Sequence, residues 1–208
     1  MQKTNSDDLN IVLLPDENAL KSAIKLSQVL TTSIPSEFTL NTDKFRPHIT
    51  LYQGRFPTQN IPILFEKINN LSKKLNPIDV AMQNFYISPG KFVWWNAEKN
   101  EILNLHNEIL LLANPLRDGL IPEPSLEQLP NLNGIERENV IKTGAIYNGT
   151  LYTPHITLTR IKNDADKEKT LTLLNQNKQA LSFTAAEIVI ASLGQHGTIS
   201  EIVQTYSL

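Results

Sequence analysis

Two of the four histidines in this 208-residue chain stand in the same five-residue word, Pro47-His48-Ile49-Thr50-Leu51 and Pro154-His155-Ile156-Thr157-Leu158, 107 positions apart. An identical five-residue word recurs by chance in a chain of this size on the order of once or twice in a hundred, so an internal repeat is the better reading. Imidazole is the side chain that titrates near neutral pH without large perturbation. A neutral histidine takes a proton from an attacking water or hydroxyl, while a protonated one gives its proton to a leaving oxygen. Each threonine adds a hydroxyl that can donate to a non-bridging phosphate oxygen as charge builds there. The set His48, Thr50, His155 and Thr157 therefore suits cleavage of a phosphodiester. It makes a poor zinc site, because no Asp, Glu or third His is tied to either word by spacing.

The elements around the words must bring them together. A proline at the first position suits the start of a strand. Strict alternation then turns His48 and Thr50 to one face and Ile49 and Leu51 to the other, and the second copy repeats this with His155 and Thr157. A pseudo-two-fold axis between the copies would converge two imidazoles and two hydroxyls on one cleft. Alternation also continues the His48 face to Tyr52, which could contact a base or phosphate or simply close the sheet. Arg160 falls on the opposite face from His155, where it either bends toward phosphate or forms a surface ion pair.

Strands are expected at Asn10 to Leu14, Pro47 to Gln53, Thr153 to Ile161, Phe183 to Leu193 and Ile202 to Tyr206. Ile78 to Ile87 and Phe92 to Ala97 read as a hairpin around Ser88-Pro89-Gly90. Helices are expected at Ala19 to Leu30, with Leu20, Ile24 and Ala23 inward, and near Ile63 to Leu75. Further helices fall at Ile102 to Ala113, with Leu103, Leu105, Ile109 and Leu112 as the stripe, and at Ala165 to Gln176. Each half thus has a motif strand, a helix and a two-stranded unit, which is an α+β class with an internal repeat. Of the adjacent Trp94 and Trp95, one is expected in the core and the other toward the cleft or solvent. His106 reads as a structural residue of its helix, and His196 as a solvated turn residue. The run Asp164 to Lys169 reads as an exposed helix start.

Residues 115–149 break the pattern, with Pro122, Pro124 and Pro130 and four glycines. At most a short helix near Glu136 to Lys142 is expected there, with Leu116, Leu120, Ile121, Leu126, Leu129 and Leu132 pinning the segment to a lobe. A stretch this long with little structure of its own is functional or disordered. Directly preceding the second word, it is placed to select the substrate.

Composition narrows the classes. The chain has no cysteine, which removes disulfide scaffolds, thiolate metal sites and cysteine nucleophiles. No apolar run approaches the roughly 20 residues of a membrane helix. The polar start, Met1 to Asp8, lacks a hydrophobic signal core, so a cytoplasmic protein is expected. A net charge of −2 argues against coating long nucleic acid by counterion release and leaves room for a small substrate or a nucleic-acid end.

Two His-x-Thr-hydrophobic words about a hundred residues apart resemble the 2H phosphoesterase superfamily. The bacterial branch of 2′,3′-cyclic RNA phosphodiesterases and 2′-5′ RNA ligases is nearest. Ile11 to Pro15 is similar to the family's first strand, and His155 to Arg160 to its second motif with a trailing arginine. The resemblance implies two pseudo-symmetric ferredoxin-like lobes with antiparallel sheets lining a central cleft, in one bilobal domain over residues 1–208. It carries catalytic roles onto His48, Thr50, His155 and Thr157, with Tyr52 and Arg160 as substrate-binding candidates. It implies a monomer that needs no metal and no cofactor and acts on a nucleotide or RNA end. The expected activity is hydrolysis of a 2′,3′-cyclic phosphate. A 2′-5′ hydrolase or RNA ligase stays open, as does a non-catalytic nucleotide- or RNA-end-binding module. The histidine-triad hydrolases are a different pattern, needing alternating histidines where this chain has Thr50 and Thr157.

Overall fold

The structure is a computed structural model that describes residues 5–208; Met1–Thr4, part of the polar start, lie outside the described residues. The chain runs β1 (Ser6–Leu13), α1 (Glu17–Ser33), β2 (Ile49–Pro57), α2 (Ile61–Ser72), β3 (Ile78–Ile87), β4 (Phe92–Ala97) and α3 (Asn100–Ala113). It continues through α4 (Glu123–Gln128), α5 (Gly134–Thr143), β5 (His155–Arg160), α6 (Lys167–Gln176), β6 (Leu181–Ala185), β7 (Glu187–Leu193) and β8 (Ile199–Ser207). All eight strands join one antiparallel sheet in the order β6-β3-β4-β5-β2-β1-β7-β8. The α+β class and the two-lobed plan hold, with the two motif strands adjacent at the centre.

One lobe is β6-β3-β4-β5 with α1 and α6 packed on it; the other is β2-β1-β7-β8 with α2 and α3. Each lobe is thus four antiparallel strands carrying two helices. The helices are exchanged: α1 leaves β1 to pack on β5 and β6, and α3 leaves β4 to pack on β2. The stretch expected as one strand, Phe183 to Leu193, is two. Its apolar pattern is continuous, but its partners change at Ala186: β6 pairs with β3 and β7 with β1, in opposite lobes.

Local chemistry accounts for the helix that matters most to the site. Asp16 caps α1 by accepting from the Ala19 N–H at 2.8 Å, a contact worth about 1 kcal/mol. The buried stripe is Ala19, Ala23, Leu26, Ser27 and Leu30, shifted from the expected Leu20 and Ile24, which are only half-buried. Alanine and serine at the contact let the helix lie close on the sheet. In α3 the stripe is Ile102, Leu105, His106, Ile109 and Ala113, so His106 is a core residue.

The long segment is more ordered than expected. It holds α4 as well as α5, and α5 has no apolar stripe to dock with. Leu126, Ile135 and Ile141 are exposed. Of the expected apolar anchors Leu116 packs against the core, and polar side chains pin the segment beside it. Arg117, buried, donates Nε to Asn114 Oδ1 at 2.9 Å, Nη2 to the Lys142 carbonyl at 3.1 Å and Nη1 to the Leu120 carbonyl. Asn148 Nδ2 reaches the Gln53 carbonyl of β2 at 3.2 Å. Gly144, at φ 92°, passes so near Arg117 that a Cβ there would lie 3.2 Å from its Cδ. Replacing Arg117 by Met should strand these acceptors and cost on the order of 3 kcal/mol. Melting followed by circular dichroism should then fall by roughly 6–12 °C; an unchanged midpoint would show that the segment is held by something else.

Candidate active site

β2 and β5 meet through one residue pair, Ile49 opposite Ile156. Both isoleucines are fully buried in the core, so the histidine and threonine on either side of each point to the other face. Carried one residue either way, the register sets His48 across from Thr157 and Thr50 across from His155. The structure therefore brings all four motif side chains to one place at the seam between the lobes.

Each word also carries the same irregularity. Between β1 and β2 the pairing steps from Ile11 opposite Tyr52 to Val12 opposite Thr50, leaving Leu51 without a partner. Between β4 and β5 it steps from Val93 opposite Thr159 to Trp94 opposite Thr157, leaving Leu158 without one. These are one-residue bulges at equivalent positions of the repeated word, the kind of device that re-aims side chains beside a site. The carbonyls of the bulged leucines are capped from the helices. Ser27 on α1 donates to the Leu158 carbonyl at 2.7 Å and accepts from the Leu40 N–H at 2.9 Å. His106 on α3 donates Nδ1–H to the Leu51 carbonyl at 2.5 Å. Its Nε2 accepts from the Gly149 N–H at 2.9 Å, which holds the ring neutral in one tautomer. Tyr152 lies flat on that ring, 3.7 Å between centroids and 1° from parallel, and donates its hydroxyl to the Thr50 carbonyl at 2.8 Å.

The motif histidines share one geometry. His48 Nδ1 lies 2.8 Å from the Arg46 carbonyl and His155 Nδ1 lies 2.7 Å from the Thr153 carbonyl. A carbonyl only accepts, so each Nδ1 carries hydrogen and each neutral ring keeps its lone pair on Nε2. Burial holds the His48 pKa below the usual histidine range, opposed by the Arg46 and Gly197 carbonyls. His155 is pushed down to about 4, chiefly by desolvation and further by His48, with the Thr153 carbonyl acting the other way. Trp94 stacks on the His155 ring at 4.0 Å and 18°. Both imidazoles are neutral bases at neutral pH in the free protein.

The bulges decide the remaining residues. After Leu51 the alternation slips, and Tyr52 turns into the core, fully buried, donating its hydroxyl to Asn114 Oδ1 at 3.1 Å and the Thr143 carbonyl at 3.0 Å. Its expected contact with substrate is thereby corrected to a structural role. After Leu158 the same slip buries Thr159 and brings Arg160 opposite Phe92, one step from the Trp94–Thr157 pair on the cleft face. There Arg160 donates Nε to the Gly90 carbonyl at 3.0 Å and lies 5.2 Å over the Phe92 ring; the ion pair is replaced by these contacts. Trp95 is in the core and Trp94 beneath His155, as expected of the pair. His196 is not simply solvated: it stacks on Phe38 at 5.6 Å, in the turn whose Gly197 carbonyl faces His48. The capping role of His106 is the feature sequence reasoning missed; its place among leucines in the helix stripe was the available signal.

A cavity of about 370 Å³ opens beside His155, between Tyr86, Trp94, Asn96, Glu136, Tyr147 and Thr153. A larger one, about 730 Å³, is lined by Asp16, Asp79, Glu98 and Glu101, which would repel a phosphate. Among the described residues no three His, Asp or Glu side chains are grouped to hold a metal ion, and no helix is long and apolar enough to cross a membrane.

A family profile described as the 2′-5′ RNA ligase superfamily matches residues 27–197. The chain belongs to that superfamily. This upholds the 2H phosphoesterase resemblance drawn from the two words. No curated protein matches the sequence. Among solved structures, TT0787 of Thermus thermophilus is similar over 97% of both chains, with 14% identity and a TM-score of 0.62. E. coli LigT complexed with 3′-AMP is similar over 98% of both, with 12% identity and a TM-score of 0.56. Kluyveromyces marxianus Usb1 is similar over 99% of both, with 11% identity and a TM-score of 0.51. At such identities the likeness is one of fold.

Two outcomes follow from this geometry. An anion between the histidines should raise both lowered pKa values, so binding takes up protons and must tighten as pH falls from 8 toward 5. With sulfate, whose charge is constant over that range, affinity should rise by up to about tenfold per pH unit for each proton taken up; calorimetric affinity that is flat with pH would contradict neutral imidazoles. His106→Leu should leave the Leu51 carbonyl and the Gly149 N–H unpaired, costing roughly 2–4 kcal/mol in urea unfolding. A variant as stable as the parent would show the caps to be dispensable.

Proposed function

We propose that this protein hydrolyses a 2′,3′-cyclic phosphate, or a closely related nucleotide or RNA-end diester, to a monophosphate by two-histidine acid–base catalysis. The observation that carries the reading is the seam: two His-x-Thr words face one another across a single residue pair, each imidazole offering Nε2 to the cleft. Water attacks phosphorus and gives its proton to one Nε2. The bond from phosphorus to one ribose oxygen breaks, and that oxygen takes a proton from the other Nε2. Thr50 and Thr157 donate to the non-bridging oxygens. The phosphate itself favours protonation of one ring as it enters.

The environments of the two rings support a division of roles. His48 has a second carbonyl, that of Gly197, favouring its charged form, so it is the acid. His155, stacked on Trp94 and held down by desolvation and by the neighbouring His48, is the base. Arg160, on the cleft face, is a candidate for phosphate contact. A 2′-5′ diester hydrolase or ligase is the second enzymatic reading, favoured by the superfamily's description. LigT has also been crystallised with 3′-AMP and with NADP+, which supports a nucleotide substrate for either. A binding module without turnover has no need of two histidines with complementary proton roles.

His48→Ala and His155→Ala should each lose about 10²–10⁴-fold in kcat on a 2′,3′-cyclic nucleotide, with the double variant little worse than either. A p-nitrophenyl phosphodiester, whose leaving group needs no acid, should restore much of the loss in His48→Ala and none in His155→Ala. The reverse pattern would exchange the roles, and near-parental turnover by either variant on the cyclic nucleotide would end the mechanism. The pH–rate profile should be bell-shaped, and turnover should persist in excess EDTA. Loss in chelator, restored by a divalent ion, would defeat the account.

A further inference from the structure

The cavity beside His155 shares two walls with the catalytic pair: Trp94 lies under the imidazole, and the Thr153 carbonyl orients it. Its volume, about 370 Å³, falls within the roughly 300–1,000 Å³ of small-molecule pockets. Its remaining walls are aromatic and polar. Tyr147 meets Trp94 edge-on at 4.8 Å and 87°, and Tyr86 meets it at 5.6 Å and 47°. Tyr86 is exposed and Tyr147 half-buried, so both rings have surface for a flat ligand. Among its polar groups, beside the hydroxyls of Tyr86, Tyr147 and Thr153, two offer acceptor oxygens. Asn96 Oδ1 is buried without a hydrogen-bond partner, a condition that native structures rarely leave unanswered. Glu136 brings a carboxylate from α5, close enough to Tyr147 for its charge to act on the phenol.

We infer that this cavity is a base subsite that prefers guanine, with Glu136 as its specificity-determining residue. The Glu136 carboxylate asks for a ligand edge that sets two donors side by side. Guanine offers N1–H and the N2 amino group side by side, which match the two oxygens of a carboxylate. Adenine and cytosine place an amino group beside a ring-nitrogen acceptor, whose lone pair would face the carboxylate. Uracil has one N–H between two carbonyls. A planar base beside Tyr147 would hang its ribose toward Thr153 and bring the phosphate to the histidines. The segment 115–149 thus enters recognition through Glu136 and Tyr147, not as a lid.

The assignment rests on the phosphodiester reading only in where the phosphate lies, and free nucleosides separate the two. In titration calorimetry guanosine should bind about tenfold or more tightly than inosine, which lacks the N2 amino group, and than adenosine, cytidine or uridine. Glu136→Gln should erase that margin, whereas Tyr147→Leu should weaken every nucleoside alike while leaving the order intact. Nucleosides that bind within about twofold of one another, no saturation by guanosine, or a margin that survives Glu136→Gln would overturn the subsite. With the margin intact, failure to turn over 2′,3′-cyclic GMP would instead overturn the hydrolase reading and leave the subsite standing.

Discussion

The bulged leucine carbonyls are what the rest of the site depends on. At the seam the two motif strands share one residue pair, so the ladder that would ordinarily satisfy their backbone stops there. A buried carbonyl without a donor costs about 1–3 kcal/mol, and the fold answers with Ser27 at Leu158 and His106 at Leu51. The two caps differ in chemistry but not in logic, since each comes from the helix that precedes one motif strand and reaches the other. The seam thereby keeps its backbone satisfied where the ladder between the motif strands stops.

Desolvation then sets the protonation of the pair. Both rings are locked at Nδ1 by the carbonyl two residues earlier, so only Nε2 can respond to a ligand. Because burial opposes charge on both rings, and His48 adds to it at His155, both are neutral bases at neutral pH. An anion bound between them would favour protonation of one ring and so set an acid beside a base, as the proposed hydrolysis requires.

Much of this is legible in the residues. The hairpin of β3 and β4 carries its turn signal at Ser88-Pro89-Gly90 and matches the expected bounds. The repeated word discloses the candidate site because its two copies meet across one residue pair at the seam. Strict alternation, in contrast, misplaces whatever follows a bulge: it sends Tyr52 to the cleft and Arg160 away from it, and the structure reverses both. Nothing in a strand pattern announces an unpaired leucine. The break at Ala186 is hidden for a related reason, since a change of pairing partner leaves no mark on hydropathy. The long segment escapes a reading by pattern because its anchors are Arg117, Asn139 and Asn148, polar residues that composition assigns to solvent.

The exchange of α1 and α3 between the lobes has a mechanical meaning. A two-lobed molecule invites the picture of a jaw that swings open. Here rotation of one lobe against the other would have to stretch the short connections, residues 14–16 and 98–99, by which β1 sends α1 and β4 sends α3 to the opposite lobe. The lobes are strapped across the seam on both sides. The spacing of the two histidines is consequently a fixed gauge, set by two connections of three and two residues.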